Sequence, residues 1–203
     1  MSILIGVLAA GVSAVMALIL GICAATLGKK VDSAISFAID TVMGIPHILL
    51  LLLISYAMGK GLKGVIAGVA LTHWTSLARL IRGEVMQLRE SEYIQIAGKL
   101  GLGKWEIAKK HIVPHVLPQF IVGLVLLFPH AILHESSITF LGFGLSTEQP
   151  AIGVILSESM RYLIMGKWWL AVFPGMMLVL TVVLFEKGGT ALRQLLDPGS
   201  VHK

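Results

Sequence analysis

Charge is what this sequence has least of. Only 13% of its 203 residues are Asp, Glu, Lys or Arg, where a soluble domain carries about a quarter. Cysteine is all but missing: Cys23 stands alone in an apolar run, which excludes an intrachain disulfide and a cysteine metal cage. The phosphate-cradling pattern G-x-x-x-x-G-K-[ST] is absent as well. None of the five Gly-Lys pairs is followed by Ser or Thr, so this chain is expected to bind no ATP. No basic stretch precedes the first apolar run, and that run, residues 3–27, is too long for the core of a cleaved signal. What abounds instead is hydrocarbon. Hydrophobic residues make up 56% of the chain and mean hydropathy is +0.89. They come in blocks of 18 or more, the length at which a helix satisfies its own backbone across a bilayer. A soluble enzyme is excluded, and the fold class is an all-α integral membrane protein.

Five spans of about 20 residues can be drawn, at about residues 3–27, 35–58, 62–81, 112–133 and 168–185, in a single transmembrane domain. The net charge of +5 invites a nucleic-acid reading, but basic residues of multispanning proteins gather in cytoplasmic loops. Placing the loops after spans one, three and five on one side gives that side twelve Lys and Arg, from Lys29 to Lys203, against four opposite. The rich side is therefore expected to be cytoplasmic, with the N-terminus outside and no nucleic-acid partner. Two connections exceed simple turns. Residues 83–111 are polar yet read as short amphipathic helices broken at Gly98, Gly101 and Gly103. Residues 135–166 are half apolar and are expected to dip back toward the membrane, with Trp168 and Trp169 at the outer interface.

The basic loop runs Arg89-Glu90-Ser91-Glu92-Tyr93-Ile94-Gln95-Ile96-Ala97-Gly98-Lys99-Leu100-Gly101-Leu102-Gly103, then continues through Lys109-Lys110-His111-Ile112-Val113-Pro114. Basic composition by itself suggests an ordinary solvated loop. The pattern nevertheless resembles the EAA loop of ABC importer permeases in the dipeptide, oligopeptide and nickel branch. Ala78–Gly83 before the loop, Ser137–Gly144 after it and Leu192-Arg193 with Leu196-Asp197-Pro198 also look like that branch. Gln95 and Ile96 replace the acidic residue and first alanine of the triplet, and Ile152-Gly153 stands where a tryptophan-glycine pair is usual. Relatives usually carry a further N-terminal span, so this chain is either a five-span form or lacks a leading segment.

The resemblance implies alternating access in a bacterial cytoplasmic membrane. It implies a second permease chain, one or two ATPase subunits that hold ATP and Mg, and an extracytoplasmic binding protein. Glu92, Gln95, Ala97, Gly98, Lys99, Leu100, Gly101, Leu102 and Gly103 would form the surface that the ATPase engages.

Histidine is the remaining signal. His47, His73, His130 and His134 fall within or beside apolar spans, where ionisable residues face a cavity or a partner. His130 and His134 are four apart and share a helix face. Imidazole suits nickel, copper, zinc and cobalt, and Glu135 follows directly. The competing reading gives each histidine a hydrogen bond to a neighbouring helix. Pro129–His134 and Thr72-His73-Trp74 are similar to nickel-importer permeases, which implies a cation path over His130, His134, His73 and Glu135, with His130 and His134 as transient ligands. His47 is read as structural. The leading expectation is a nickel-importing permease, nickel being free or chelated. A di- or oligopeptide cargo is the alternative. An intramembrane metalloenzyme is disfavoured because Ala131 stands where H-E-x-x-H needs glutamate. A passive channel has no use for a structured basic loop.

Overall fold

The computed structural model describes residues 1–196; Asp197, Pro198 and Lys203, invoked above, lie outside the described residues. The chain is all-helical: α1 Ser2–Thr26, α2 Lys29–Gly44, α3 His47–Ala57, α4 Gly61–Arg89, α5 Glu92–Lys99, α6 Lys104–Ile107, α7 Val113–Phe140, α8 Ile152–Leu163 and α9 Trp169–Leu196. α1, α4, α9 and the continuous stretch Trp105–Phe140 are each long and apolar enough to cross a membrane. α2 and α3 carry the second expected span, residues 35–58, but they meet at 98°. Gly44-Ile45-Pro46 explains the bend. Pro46 pushes Ile45 out of the helical region, to φ −90° and ψ 136°, and cannot itself donate to the α2 ladder.

Between α6 and α7 the helix widens to a π turn over Ala108–Ile112, and the Val113 amide reaches back to the Ala108 carbonyl. Pro114 is the cause. It has no N–H for the Lys110 carbonyl and its ring would crowd that oxygen in a regular turn. The third expected span ends at residue 81, whereas α4 runs on to Arg89. Its charged positions find partners on the way. Asp32 accepts from Arg82 Nε at 2.5 Å and from its terminal nitrogen at 2.7 Å, Asp40 accepts from Arg79 at 2.5 Å, and Arg89 donates to the Ala25 carbonyl. These contacts tie the end of α1 and the loosely packed α2 to α4.

α1 lies along α4 through small residues, as helices without a hydrophobic driving force must. Ala10, Ser13, Ala14, Ala17, Gly21 and Ala24 are all buried in α1. The Ser13 hydroxyl donates to the Ala70 carbonyl at 3.1 Å, and a Cβ on Gly21 would sit 2.8 Å from the Ala78 carbonyl oxygen. Trp74, Leu77, Ile81 and Val85 of α4 pack with Ile112 and Val116 below the bundle centre. Ile5, Ala9, Leu51, Val65, Val69 and Ile138 form the second cluster toward the other end. α9 buries only Leu178 and Gly189, leaving an apolar flank open.

Candidate functional site

Three helices converge on one cavity of about 680 Å³. His47 opens α3 at the bend, His73 stands near the middle of α4, and His134 belongs to the last two turns of α7. Their rings are in mutual contact, with centroids 4.7 Å apart for His47–His73, 4.6 Å for His47–His134 and 4.8 Å for His73–His134. One ligand nitrogen from each ring lies within 4.8 Å of the other two. Val42, Met43, Ile45, Pro46 and Leu127 supply apolar wall, and Thr72, Thr75 and Ser76 share the polar part of the lining with the imidazoles.

Two details show what the trio is built to offer. His73 Nδ1 lies 3.0 Å from the Val69 carbonyl, one turn back on α4. A carbonyl only accepts, so Nδ1 carries the proton and Nε2 presents its lone pair. Metal-binding histidines are oriented in this way by an outer hydrogen bond. Thr72 contributes too, with its hydroxyl 3.1 Å from Nδ1 while donating to the Gly68 carbonyl at 2.9 Å. His47 Nε2 is buried and has no hydrogen-bond partner among the described residues. A buried unpaired ring nitrogen costs free energy unless something else satisfies it. An ion held about 2.1 Å from each nitrogen would do so. An equilateral triangle with the limiting 4.8 Å side has its corners about 2.8 Å from its centre, so to meet an in-plane ion each ring needs to move inward by no more than about 0.7 Å.

The positions taken from sequence separate here. His73 and His134 meet in the trio. His130 lines the same cavity one turn along α7 and is exposed, outside the ring cluster. Glu135 is not part of this cavity. It is fully buried, accepting from the Thr139 hydroxyl at 2.9 Å and the Ser136 hydroxyl at 3.4 Å, and Thr139 in turn accepts from the Leu145 amide at 3.2 Å. The reason is angular. Glu135 follows His134 by about 100° around the helix, and α7 runs to Phe140, so the glutamate is not in an outer loop. This network fastens the segment between α7 and α8, and the N-terminus adds Met1 to the Pro150 carbonyl and Ser2 to the Ile152 amide. His47, set aside as structural by the sequence, completes the trio; no local spacing joins it to residues 26 and 87 positions away.

The basic-end loop breaks at Gly101 and Gly103, whereas Gly98, expected as a break, lies inside α5. Gly101 has φ +91°, and the Leu102 amide donates to the Ala97 carbonyl while that of Gly101 donates to Gly98, a glycine-closed helix end. Ile94 and Ala97 turn inward, whereas Ile96, Leu100 and Trp105 project at 54, 77 and 82% exposure. Gln95 turns back, donating to the Glu90 carbonyl at 3.1 Å. Glu92 and Lys99 sit in the first and last turns of α5, matching the helix dipole. Gly98, Leu102 and Gly103 complete the turn into α6.

The bundle thus holds a cavity among its helices and an exposed apolar knob at its basic end. A family model described as binding-protein-dependent transport system inner membrane component matches residues 17–200, and the chain belongs to that family. It is 32% identical over 197 residues to the dipeptide transport system permease protein of Bacillus subtilis, covering 97% of this chain and 62% of that protein. Identity to the oligopeptide transport system permease protein of the same organism is 31%, with 97 and 64% covered. The probable D,D-dipeptide transport system permease protein of Escherichia coli is 29% identical, with 97 and 66% covered. The chain thus spans less than two thirds of the length of these relatives. Its fold matches a chain of the inward-facing MetNI methionine ABC transporter with a TM-score of 0.76 at 17% identity, covering 97% of this chain and 93% of that one. The family is described as an inner membrane transport component, in keeping with the four helices among the described residues that are long and apolar enough to cross a membrane.

Proposed function

We propose that the chain is the permease subunit of an ATP-driven importer whose cargo is a transition-metal cation, with nickel favoured, free or carried by a chelator. The carrying observation is the contact of His47, His73 and His134 around a cavity, with one ring nitrogen oriented by Val69 and another lacking any partner. Three neutral imidazoles suit nickel, copper, zinc or cobalt. They leave coordination positions for water, a chelator or the second permease chain, and a transport station has to stay weak enough to let go. The separation of up to 4.8 Å between ligand atoms fits a station that closes only when loaded. ATP and Mg belong to ATPase subunits that press on Ile96, Leu100 and Trp105 at the cytoplasmic end. A binding protein delivers cargo to the opposite end, in a bacterial cytoplasmic membrane with the C-terminus inside.

A second reading rests on the relatives reported above, all of which are named for di- or oligopeptides. Sequence likeness favours peptide cargo, and a cavity of about 680 Å³ has room for a dipeptide. Uptake by the complete complex in proteoliposomes, with its binding protein, separates the two. Metal import predicts ATP-dependent nickel uptake that His73→Ala abolishes while basal ATPase activity remains. Peptide import predicts dipeptide uptake and no nickel flux, and that result overturns the metal reading.

A further inference from the structure

Beyond the trio, a string of cavities follows one face of α4. The cavity around the histidines includes Ser76; a second, of about 430 Å³, runs from Ser76 past Leu80 and Gly83 to Glu84. A third, of about 440 Å³, begins at Glu84 and is walled by His115, Gln119 and Arg193. Ser76 lines both the first and the second cavity, and Glu84 both the second and the third. The helix explains their order. Ser76, Leu80, Gly83 and Gln87 recur at helical spacing on the open side, away from buried Leu77, Ile81, Val85 and Leu88. Glu84 stands eleven residues beyond His73, about 16 Å along the helix, toward the basic end.

At the lower end a carboxylate and an imidazole face each other across two helices. Glu84 Oε2 of α4 lies 4.0 Å from His115 Nε2 of α7, with both side chains between a third and a half exposed. Two ligands at about 2.0–2.2 Å from a shared cation stand about 3 to 4 Å apart, depending on the angle at the metal. Gln119 is one turn beyond His115 on the same wall, offering an amide oxygen. We propose that Glu84 and His115 form a second, exit-side station for a divalent transition-metal ion descending from the histidine trio. The proposal rests on the metal reading of the cargo. An oxygen–nitrogen pair is a less demanding donor set than three imidazoles, and Arg193 on the same cavity adds a like charge that disfavours retention. Both features promote release. Along the way Arg79 is neutralised by Asp40 at 2.5 Å, which removes one cationic barrier between the stations.

The test is nickel titration calorimetry on the tag-free complete complex in nanodiscs, alongside nickel uptake. In a His47→Ala/His73→Ala/His134→Ala background, one weak nickel equivalent should persist, and adding Glu84→Gln/His115→Ala should weaken it at least about tenfold. With the trio intact, Glu84→Gln alone, nearly isosteric, should lower maximal nickel uptake and leave the affinity of the trio unchanged. Loss of all nickel binding with the trio, or weak binding indifferent to Glu84 and His115, overturns the exit station. A wild-type complex that neither binds nor moves nickel instead removes the cargo reading. Nickel flux that is normal in both wild type and Glu84→Gln/His115→Ala removes the station alone.

Discussion

Alanine at Gly21 tests whether α1 and α4 are held together by close backbone approach. The added methyl would lie 2.8 Å from the Ala78 carbonyl oxygen and 2.9 Å from Ile81 Cγ2, both on a helix that cannot yield locally. Restoring an ordinary contact requires the helices to part by about 0.6 Å, and such overpacking costs about 1–3 kcal/mol. Alanine recovers about 1 kcal/mol of helix propensity, leaving a net loss of up to about 2 kcal/mol. For a chain of this length that lowers Tm by up to about 8 °C. Gly11 on the same helix is the control, because a Cβ there meets nothing within 4 Å. Gly11→Ala should leave Tm unchanged or raise it. Melting in detergent, followed by tryptophan fluorescence in a Trp105→Phe/Trp168→Phe/Trp169→Phe background that leaves Trp74, only 7% exposed, as the reporter, reads the α1–α4 core. Equal Tm values for the two variants, or a higher one for Gly21→Ala, would refute the close-packing argument.

Other expectations follow the same contacts. Asp32 and Arg82 form a two-point ion pair between α2 and α4 at about a quarter exposure, so a double-mutant cycle on melting should give a coupling of about 0.5–1 kcal/mol. Thr139→Val removes the better donor to buried Glu135 and should cost about 1–3 kcal/mol in the same assay, with limited proteolysis rising between α7 and α8. Leu100→Asp with Trp105→Ala alters side chains that are 77 and 82% exposed in this chain. Melting should be unchanged while cargo-stimulated ATPase activity of the assembled complex falls at least about tenfold; unchanged coupling would place the ATPase contact elsewhere.

The apolar blocks of α1, α7 and α9 were legible because each is a long run whose backbone has no alternative to a helix in lipid. The bend after Gly44 was not, since apolar residues resume at Ile48 and run on to Ile54, and a Gly-x-Pro step followed by one histidine does not by itself tell a sharp bend from a kinked span. The charged end of α4 was hidden for a different reason. Arg79 and Arg82 read as the close of the third span until Asp40 and Asp32, some forty to fifty positions earlier, are seen to pair with them. The candidate site shows the same division. His130 and His134 were visible as a pair at helical spacing, but α7 sends His134 into the ring cluster and leaves His130 beside it. Glu135 looked like a ligand by adjacency, and helix geometry turned it to Thr139. His47 enters only through the α2–α3 bend, which no local pattern reports.

X-ray absorption at the nickel edge, on the complete complex loaded with one equivalent of nickel, tests the central claim most directly. Imidazole back-scattering should fit three histidines in the wild type and two in His47→Ala, with nitrogen at about 2.0–2.1 Å. A spectrum without histidine ligands, or one that His47→Ala leaves unchanged, would contradict a metal station built from His47, His73 and His134.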